Sequence, residues 1–487
     1  MASKAVSKSA GIRERLGYPV IDSDGHVFES DVIFFDYLKS EGGTKVVDGF
    51  RKAAEGTFAD PAWSTHSMAE RRDLRYLRPT WYSIPSRNTR DTATVMFPRL
   101  MYERLEEMGL DFSVVYPTMG FLVLEIWDDE VRRAAARAMN RMKADMFRGL
   151  GDRLIPVAVI PMHTPDEAIA ELEYSVRELG IKAVMLASYV RRPIPHVARR
   201  YPGVERHAYW MDTFGLDSEY DYDPVWAKCQ ELKVSPTFHS LGYGWGTRCS
   251  ISNYVHNHIG NFAASAEAVC KGLFLGGVPR RFPKLTFAFL EGGIPWARSL
   301  YCDLVAHWHK RNREAVENYN PANLNRALFT ELAARYGGRF SEGRAEKIAE
   351  SLARRLRNGE DPELLDEWAP SGVRRPEDIR DVFVKQFYFG CEGDDPLNAL
   401  AFETRGVPFN ARLNPLYGSD IGHWDVPDMS EVVEEAYELV EHGVITDEQL
   451  RQFLFVNSVE FWVSTNPDFF KGTAVEAEVN KFLANAA

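Results

Sequence analysis

Cysteine is scarce and scattered: five in 487 residues, at Cys229, Cys249, Cys270, Cys302 and Cys391, with no C-x-x-C pair. An odd, dispersed set argues against a disulfide framework or a structural zinc knuckle and fits a reducing cytoplasm. Long apolar runs are also missing. No stretch approaches the ~18 residues of a membrane helix, and the basic, polar opening MASKAVSKSAGIRERLGYP has no apolar core of a secretory signal. Positive charge is in the minority, with 58 Lys and Arg against 70 Asp and Glu and a net charge of -12. No basic stripe stands out to serve a nucleic acid. Internal repeats and low-complexity segments are absent. The expectation is a cytoplasmic protein acting on a small molecule, with no nucleic-acid or membrane partner.

What is present is a large apolar fraction, 45%, arranged in short β-rich runs that mostly precede helical patterns. Strands read at residues 18–22 (running on to His26), 112–116, 154–160, 183–186, 234–239, 285–291, 387–392 and 413–420. Between the third and fourth, Thr164 and Asp166 cap a helix on which Ala168, Leu172 and Val176 recur every four residues. Eight strands alternating with helices predict an α/β fold, a parallel sheet closed as a (β/α)8 TIM barrel.

Two spacings exceed a simple crossover. They predict two large insertions, after strands 1 and 6, at about 27–108 and 310–380. Structureless loops of that size are rare in a compact domain, so both read as ordered lids over the C-terminal mouth of the barrel. The first carries Trp63, Trp81 and Tyr82, and the second has a charged helical stretch at 343–357. Residues 1–17 read as a solvated arm and 18–466 as the barrel. A helix at 446–461 is capped by Thr446, and 467–487 hold a C-terminal helix.

The chemistry-bearing residues sit at strand ends. Asp22, Asp24 and His26 alternate along strand 1, so they share one face. Ionisable groups entering an apolar core are costly unless they bind something, and carboxylate and neutral imidazole are ordinary ligands for zinc, iron or manganese. His239 ends strand 5. Glu291 ends strand 6 before Gly292 and Gly293, which allow a sharp turn. Asp420 ends strand 8, followed by His423 and Trp424. Each alone has a bland reading, as a solvated strand end, a packed histidine or a helix cap. Together, in a closed barrel, these ends converge on one mouth.

That set resembles the amidohydrolase superfamily, specifically the amidohydrolase-related branch that includes aminocarboxymuconate semialdehyde decarboxylase. The branch opens with a strand-1 D-x-H-x-H motif, which stands here as Asp22-Ser-Asp24-Gly-His26, with Asp24 in place of the first histidine. His239 matches the strand-5 histidine, and Asp420 the strand-8 metal aspartate. Residues 276–285 followed by Glu291-Gly-Gly match the region leading to H-G-G, with Glu291 where the decarboxylase has its catalytic histidine. The resemblance implies one or two divalent transition-metal ions held by Asp24, His26, His239, Asp420 and Glu291, and a homodimer. His258, in the pair His256 and His258, is the preferred added ligand. Lys182 begins strand 4 rather than ending it, so the carboxylated-lysine bridge of some relatives is not expected.

The leading expectation is hydrolysis of an ester, thioester (such as an acyl-CoA) or amide with an apolar acyl or aryl body. Asp420 or Glu291 would act as base and His423 as acid or oxyanion partner. Arg191 and Arg192 offer a grip for a carboxylate or phosphate, against the bland reading of a solvated loop. The alternative is non-oxidative decarboxylation of an aromatic or unsaturated acid.

Overall fold

The computed structural model describes residues 7–55, 57, 60, 62–80, 84–204, 207–240, 244–355 and 365–486. Among the described residues ten strands follow in chain order: β1 Ile21–Val27, β2 Phe112–Pro117, β3 Leu154–Ile160, β4 Ala183–Ala187, β5 Val190–Pro193, β6 Tyr209–Asp212, β7 Pro236–His239, β8 Phe287–Phe289, β9 Phe387–Glu392 and β10 Pro415–Gly418. Eight form one parallel sheet in the order β1-β2-β3-β4-β7-β8-β9-β10, while β5 and β6 make a separate antiparallel hairpin. Strands such as β2 (FSVVYP) and β4 (AVMLA) are buried throughout, as expected where helices cover the outside and side chains fill the inside.

The sheet closes on itself. Asp420 N–H donates to Asp24 O at 3.0 Å and His26 N–H to Ile421 O at 2.9 Å, joining the end of β10 to β1. The Asp22 carboxylate pins this seam. It accepts from Ser113 Oγ on β2 (2.6 Å), from Ser419 N (2.9 Å) and Oγ (2.8 Å), and from Asp24 N (3.1 Å). The register slips between Asp22 and Gly25, where β1 carries an extra residue. A Cβ on Gly25 would lie 2.5 Å from Asp22 Oδ2 and 2.8 Å from Ser113 Oγ, so only glycine fits beneath this clamp.

Around the barrel, Thr164 caps the helix Pro165–Glu173 by accepting from Glu167 N–H, and Asp166 lies in its first turn. Thr446 caps Asp447–Arg451 in a reciprocal box with Gln449, and the chain stays helical to Thr465. The last helix is Glu476–Ala486. The N-terminal segment corrects its expected solvated state. Residues Lys8–Leu16 form a helix capped by Ser7, with Ser9 and Ile12 buried. Its two large apolar residues, Ile12 and Leu16, lie in a basic, polar stretch, and the docking comes from tertiary contacts.

The two long connections behave differently. The first contains helices Asp31–Ala54, Met68–Leu74, Thr89–Met96 and Pro98–Met108. Asp31–Ala54 packs along Asp129–Met146, while Arg78 N–H donates to Ser250 O at 2.9 Å, tying this connection to the loop after β7. Trp63 is buried under the Arg71 guanidinium, whereas Trp81 and Tyr82 lie outside the described residues. In the second connection, Arg326–Tyr336 and Ala345–Arg355 pack on each other, and the former buries none of its side chains. No described residue of that pair joins the donor clusters at the mouth. No helix among the described residues is long and apolar enough to cross a membrane.

Arg132 is a charged side chain fully buried in the core. It grips Glu167 through two 2.7 Å bonds and donates to Ile126 O at 2.8 Å. Arg132→Met removes one half of a buried pair and leaves Glu167 uncompensated. Denaturant unfolding is expected to show a loss of about 3–5 kcal/mol, and a loss under about 1 kcal/mol would contradict the assignment.

Candidate metal centre

Parallel strands aim their C-terminal ends at one mouth, and here those ends deliver Asp24 and His26 (β1), His239 (β7), Glu291 (after β8), Glu392 (β9) and Asp420 (after β10). Glu291 and Asp420 leave their strands in the left-handed region, at φ 55° and 47°. Such backbone strain in non-glycine residues clusters at functional sites. His26 Nε2 lies 3.4 Å from Asp24 Oδ1 and 3.4 Å from Asp420 Oδ1. His239 Nε2 is 3.1 Å from Glu291 Oε2, and His423 Nδ1 is 2.7 Å from Asp420 Oδ1. Four overlapping donor groups, each with its atoms within 4.8 Å of one another, converge: Asp24, His26 and His239; His26, Glu291, Asp420 and His423; His258, Glu291 and Asp425; and Glu291, Glu392, Asp420 and Asp425.

The electrostatics explain why this cluster needs an occupant. Asp24 Oδ1, His26 Nε2, His239 Nε2, Glu291 Oε2 and both Asp420 oxygens are buried without a hydrogen bond. Leaving so many polar atoms unsatisfied costs on the order of 1–3 kcal/mol each. Burial pushes Asp24 well above the usual carboxylate range, reinforced by Asp22 and Glu392. It does the same to Asp420, with Asp425, Glu291 and Glu392 adding repulsion. Glu291 is raised by burial first and then by Asp425, Glu392 and Asp24. Burial lowers His26 well below its ordinary value, pulls His239 down to about 3 and His423 to about 4. The imidazoles are therefore neutral and free to donate lone pairs, while the carboxylates lack a counter-charge. A divalent cation answers both needs, so the residues present fit a metal ion.

Of the residues expected at the mouth, Asp24, His26, His239, Glu291, Asp420 and His423 come together. Asp22, on the same strand, is instead consumed by the seam. His258 reaches the cluster through Glu291 and Asp425 and packs on Trp424 at 5.6 Å, whereas His256 turns away to Thr247 O. Arg192 is not free for a ligand. It is held by Asp212, Tyr222 and His163 O, and Arg191 pairs with Glu125. Lys182 Nζ donates to Phe469 O at 3.3 Å. Glu392 and Asp425 join the cluster without having been expected there. Glu392 carries a usable signal, as an acid ending the seventh strand. Asp425 is placed by the turn after Trp424, which no periodicity marks. Phe121 packs on His239 at 4.5 Å and Phe262 at 5.5 Å, while Trp424, 41% exposed, stands at the rim.

Residues 111–321 match the family model described as Amidohydrolase. Among similar solved structures is an amidohydrolase from Mycobacterium avium subsp. paratuberculosis, at 16% identity and TM-score 0.49, covering 92% of this chain and 99% of that one. A dihydroxybenzoic acid decarboxylase from Polaromonas, described with bound manganese and the inhibitor 2-nitroresorcinol, matches at 13% identity and TM-score 0.47 over 93% and 99%. A 5-carboxyvanillate decarboxylase from Novosphingobium aromaticivorans, complexed with manganese, matches at 15% and 0.48 over 92% and 97%.

Metal binding to a prebuilt site stabilises the folded state, by about 2.7 kcal/mol at a free-ion concentration about 100 times Kd. Chelator-stripped protein given Mn2+ or Zn2+ is expected to melt at a higher temperature, and His239→Ala and Asp420→Ala to lose that gain. An unchanged melting temperature with every first-row divalent ion would contradict the site.

Proposed function

On the footing that this chain belongs to the amidohydrolase superfamily, we propose that it is a metal-dependent, non-oxidative decarboxylase of an aromatic or unsaturated carboxylic acid. The observation that carries this reading is Glu291, whose carboxyl is buried at the barrel mouth with Oε2 3.1 Å from His239 Nε2 and without a hydrogen bond. Burial and three neighbouring carboxylates push it upward, toward the protonated form, and a protonated carboxyl is the proton donor that decarboxylation needs. When the bond from the substrate carbon to its carboxylate breaks, carbon dioxide leaves and the electron pair stays on carbon. Glu291 Oε2 supplies the proton that replaces it. Phe121 and Phe262 pack on His239 and Trp424 on His258, so aromatic rings surround the place proposed for the substrate body.

A divalent ion held by Asp24, His26, His239 and Asp420 would supply the positive charge that binds the substrate's anionic group and offsets charge developing on it. The carboxylate-weighted donor set suits manganese or iron as well as zinc. His239 Nε2 and Glu291 Oε2 stand 3.1 Å apart, so the proposed proton donor lies directly beside a proposed ligand of that ion.

Hydrolysis is the second reading, and one observation favours it. Glu291 stands where the resembled decarboxylase has a histidine, and an ionised Glu291 or Asp420 would serve as base toward water. The two readings have opposite pH signatures at Glu291. An acid with a raised pKa is active below that pKa and loses activity as pH rises through it, whereas a base loses activity as pH falls. Assays on a panel of hydroxybenzoates and unsaturated acids, following carbon dioxide release, are expected to give an alkaline limb that disappears in Glu291→Gln. That variant should turn over ~100-fold more slowly or worse, the scale for losing a proton-transfer group. Free acid plus alcohol, thiol or amine from ester and amide substrates, with no carbon dioxide from any acid, would replace this reading with the second.

A further inference from the structure

His423 was not expected among the metal ligands, yet its surroundings are those of one. Its ring stacks on His26 at 4.0 Å with an interplanar angle of 29°. Nδ1 is 2.7 Å from Asp420 Oδ1, but that oxygen carries no hydrogen bond, so the two atoms meet outside the direction of a ring N–H. Two polar atoms this close without a hydrogen bond, grouped with donors of His26 and Glu291, are aimed at a common point. The other ring nitrogen is engaged: Nε2 lies 3.2 Å from Thr118 Oγ1. A neutral imidazole has one proton. Placed on Nε2 and donated to the Thr118 hydroxyl, it leaves the Nδ1 lone pair free.

Thr118 is itself held in place. Its N–H and that of Met119 both donate to Glu29 Oε2, at 3.1 and 2.8 Å. Glu29 and Lys143 are both fully buried, with Lys143 Nζ 4.0 Å from Glu29 Oε1 and donating to Val115 O at 3.0 Å. A buried ion pair is a poor source of net stability. Here it anchors the loop that carries Thr118, directly after β2.

We infer that His423 ligates the metal ion through Nδ1, with Thr118 and Glu29 as the positioning residues that set its tautomer and ring orientation. Metal-bound histidines commonly donate their second N–H to such a partner, and loss of the partner typically costs about 10–100-fold in metal affinity. The inference rests on the metal centre proposed above and adds a ligand and its support to it.

The test is calorimetric titration of chelator-stripped, full-length protein with Mn2+. Thr118→Val removes the hydroxyl and keeps the side-chain shape. It is expected to weaken Mn2+ binding ~10–100-fold, with the melting temperature of the stripped protein little changed, and Thr118→Ser to restore the affinity. Glu29→Gln is expected to weaken binding in the same direction. Independently of any variant's folding, 15N-histidine protein loaded with 113Cd2+ should show a 113Cd–15N coupling at His423 Nδ1. Wild-type affinity in Thr118→Val, or a coupling confined to His26 and His239, overturns the inference while leaving the centre standing. A wild-type protein that binds no ion overturns the centre and this inference with it.

Discussion

Everything at the barrel mouth depends on the seam where the last strand meets the first. Closing a parallel barrel requires β10 to accept β1 as its neighbour, and the Asp22 carboxylate holds that junction with four hydrogen bonds from β1, β2 and the residue after β10. A fully bonded buried carboxylate is a rigid fastener, because each of its lone pairs is directed at a fixed donor. The seam then sets the spacing of the next residues along both strands. Asp24 and His26 rise from one side, and Asp420, whose N–H bonds Asp24 O, rises from the other. The same strand thus carries one acid that builds the barrel and one that is left free to bind.

Convergence has an electrostatic consequence. Carboxylates from β1, β8, β9 and β10 enter one low-dielectric space, and among the described residues the leading charges that shift Glu291, Asp420 and Asp24 are other carboxylates. Such a cluster must hold protons or a cation. In the proposed chemistry the histidine and carboxylate donors of β1 and β7 would hold the ion, and Glu291, raised by burial and the neighbouring carboxylates, would hold the proton. Under that proposal, ion binding and proton donation share one mouth.

Much of this was legible in the sequence, for identifiable reasons. Residues 154–160 and 387–392 are strands with the boundaries that the apolar runs set, because a strand buried on both faces has no alternative partner for its side chains. The ends bearing Asp24, His26, His239 and Asp420 followed from the same runs. Strand six was less faithful. Residues 285–291 read as one run, but the strand is Phe287–Phe289, and Leu290 N–H still bonds Phe238 O before Glu291 turns into a left-handed conformation that its residue type does not advertise. The β5–β6 hairpin was hidden by the Arg-Arg-Pro sequence around residue 192, where a buried Arg192–Asp212 pair replaces apolar alternation. Glu29 and Thr118 acquire meaning only when the loop after β2 settles over β1, a long-range event with no local signature.

A divalent ion seated between β1, β7 and β10 is the premise on which the proposed chemistry stands. Crystals grown with Mn2+, measured at an energy where manganese scatters anomalously, test it most directly. One strong anomalous peak is expected within bonding distance of Asp24, His26, His239 and Asp420. A peak elsewhere on the molecule, or none at the barrel mouth in well-ordered crystals, would contradict it.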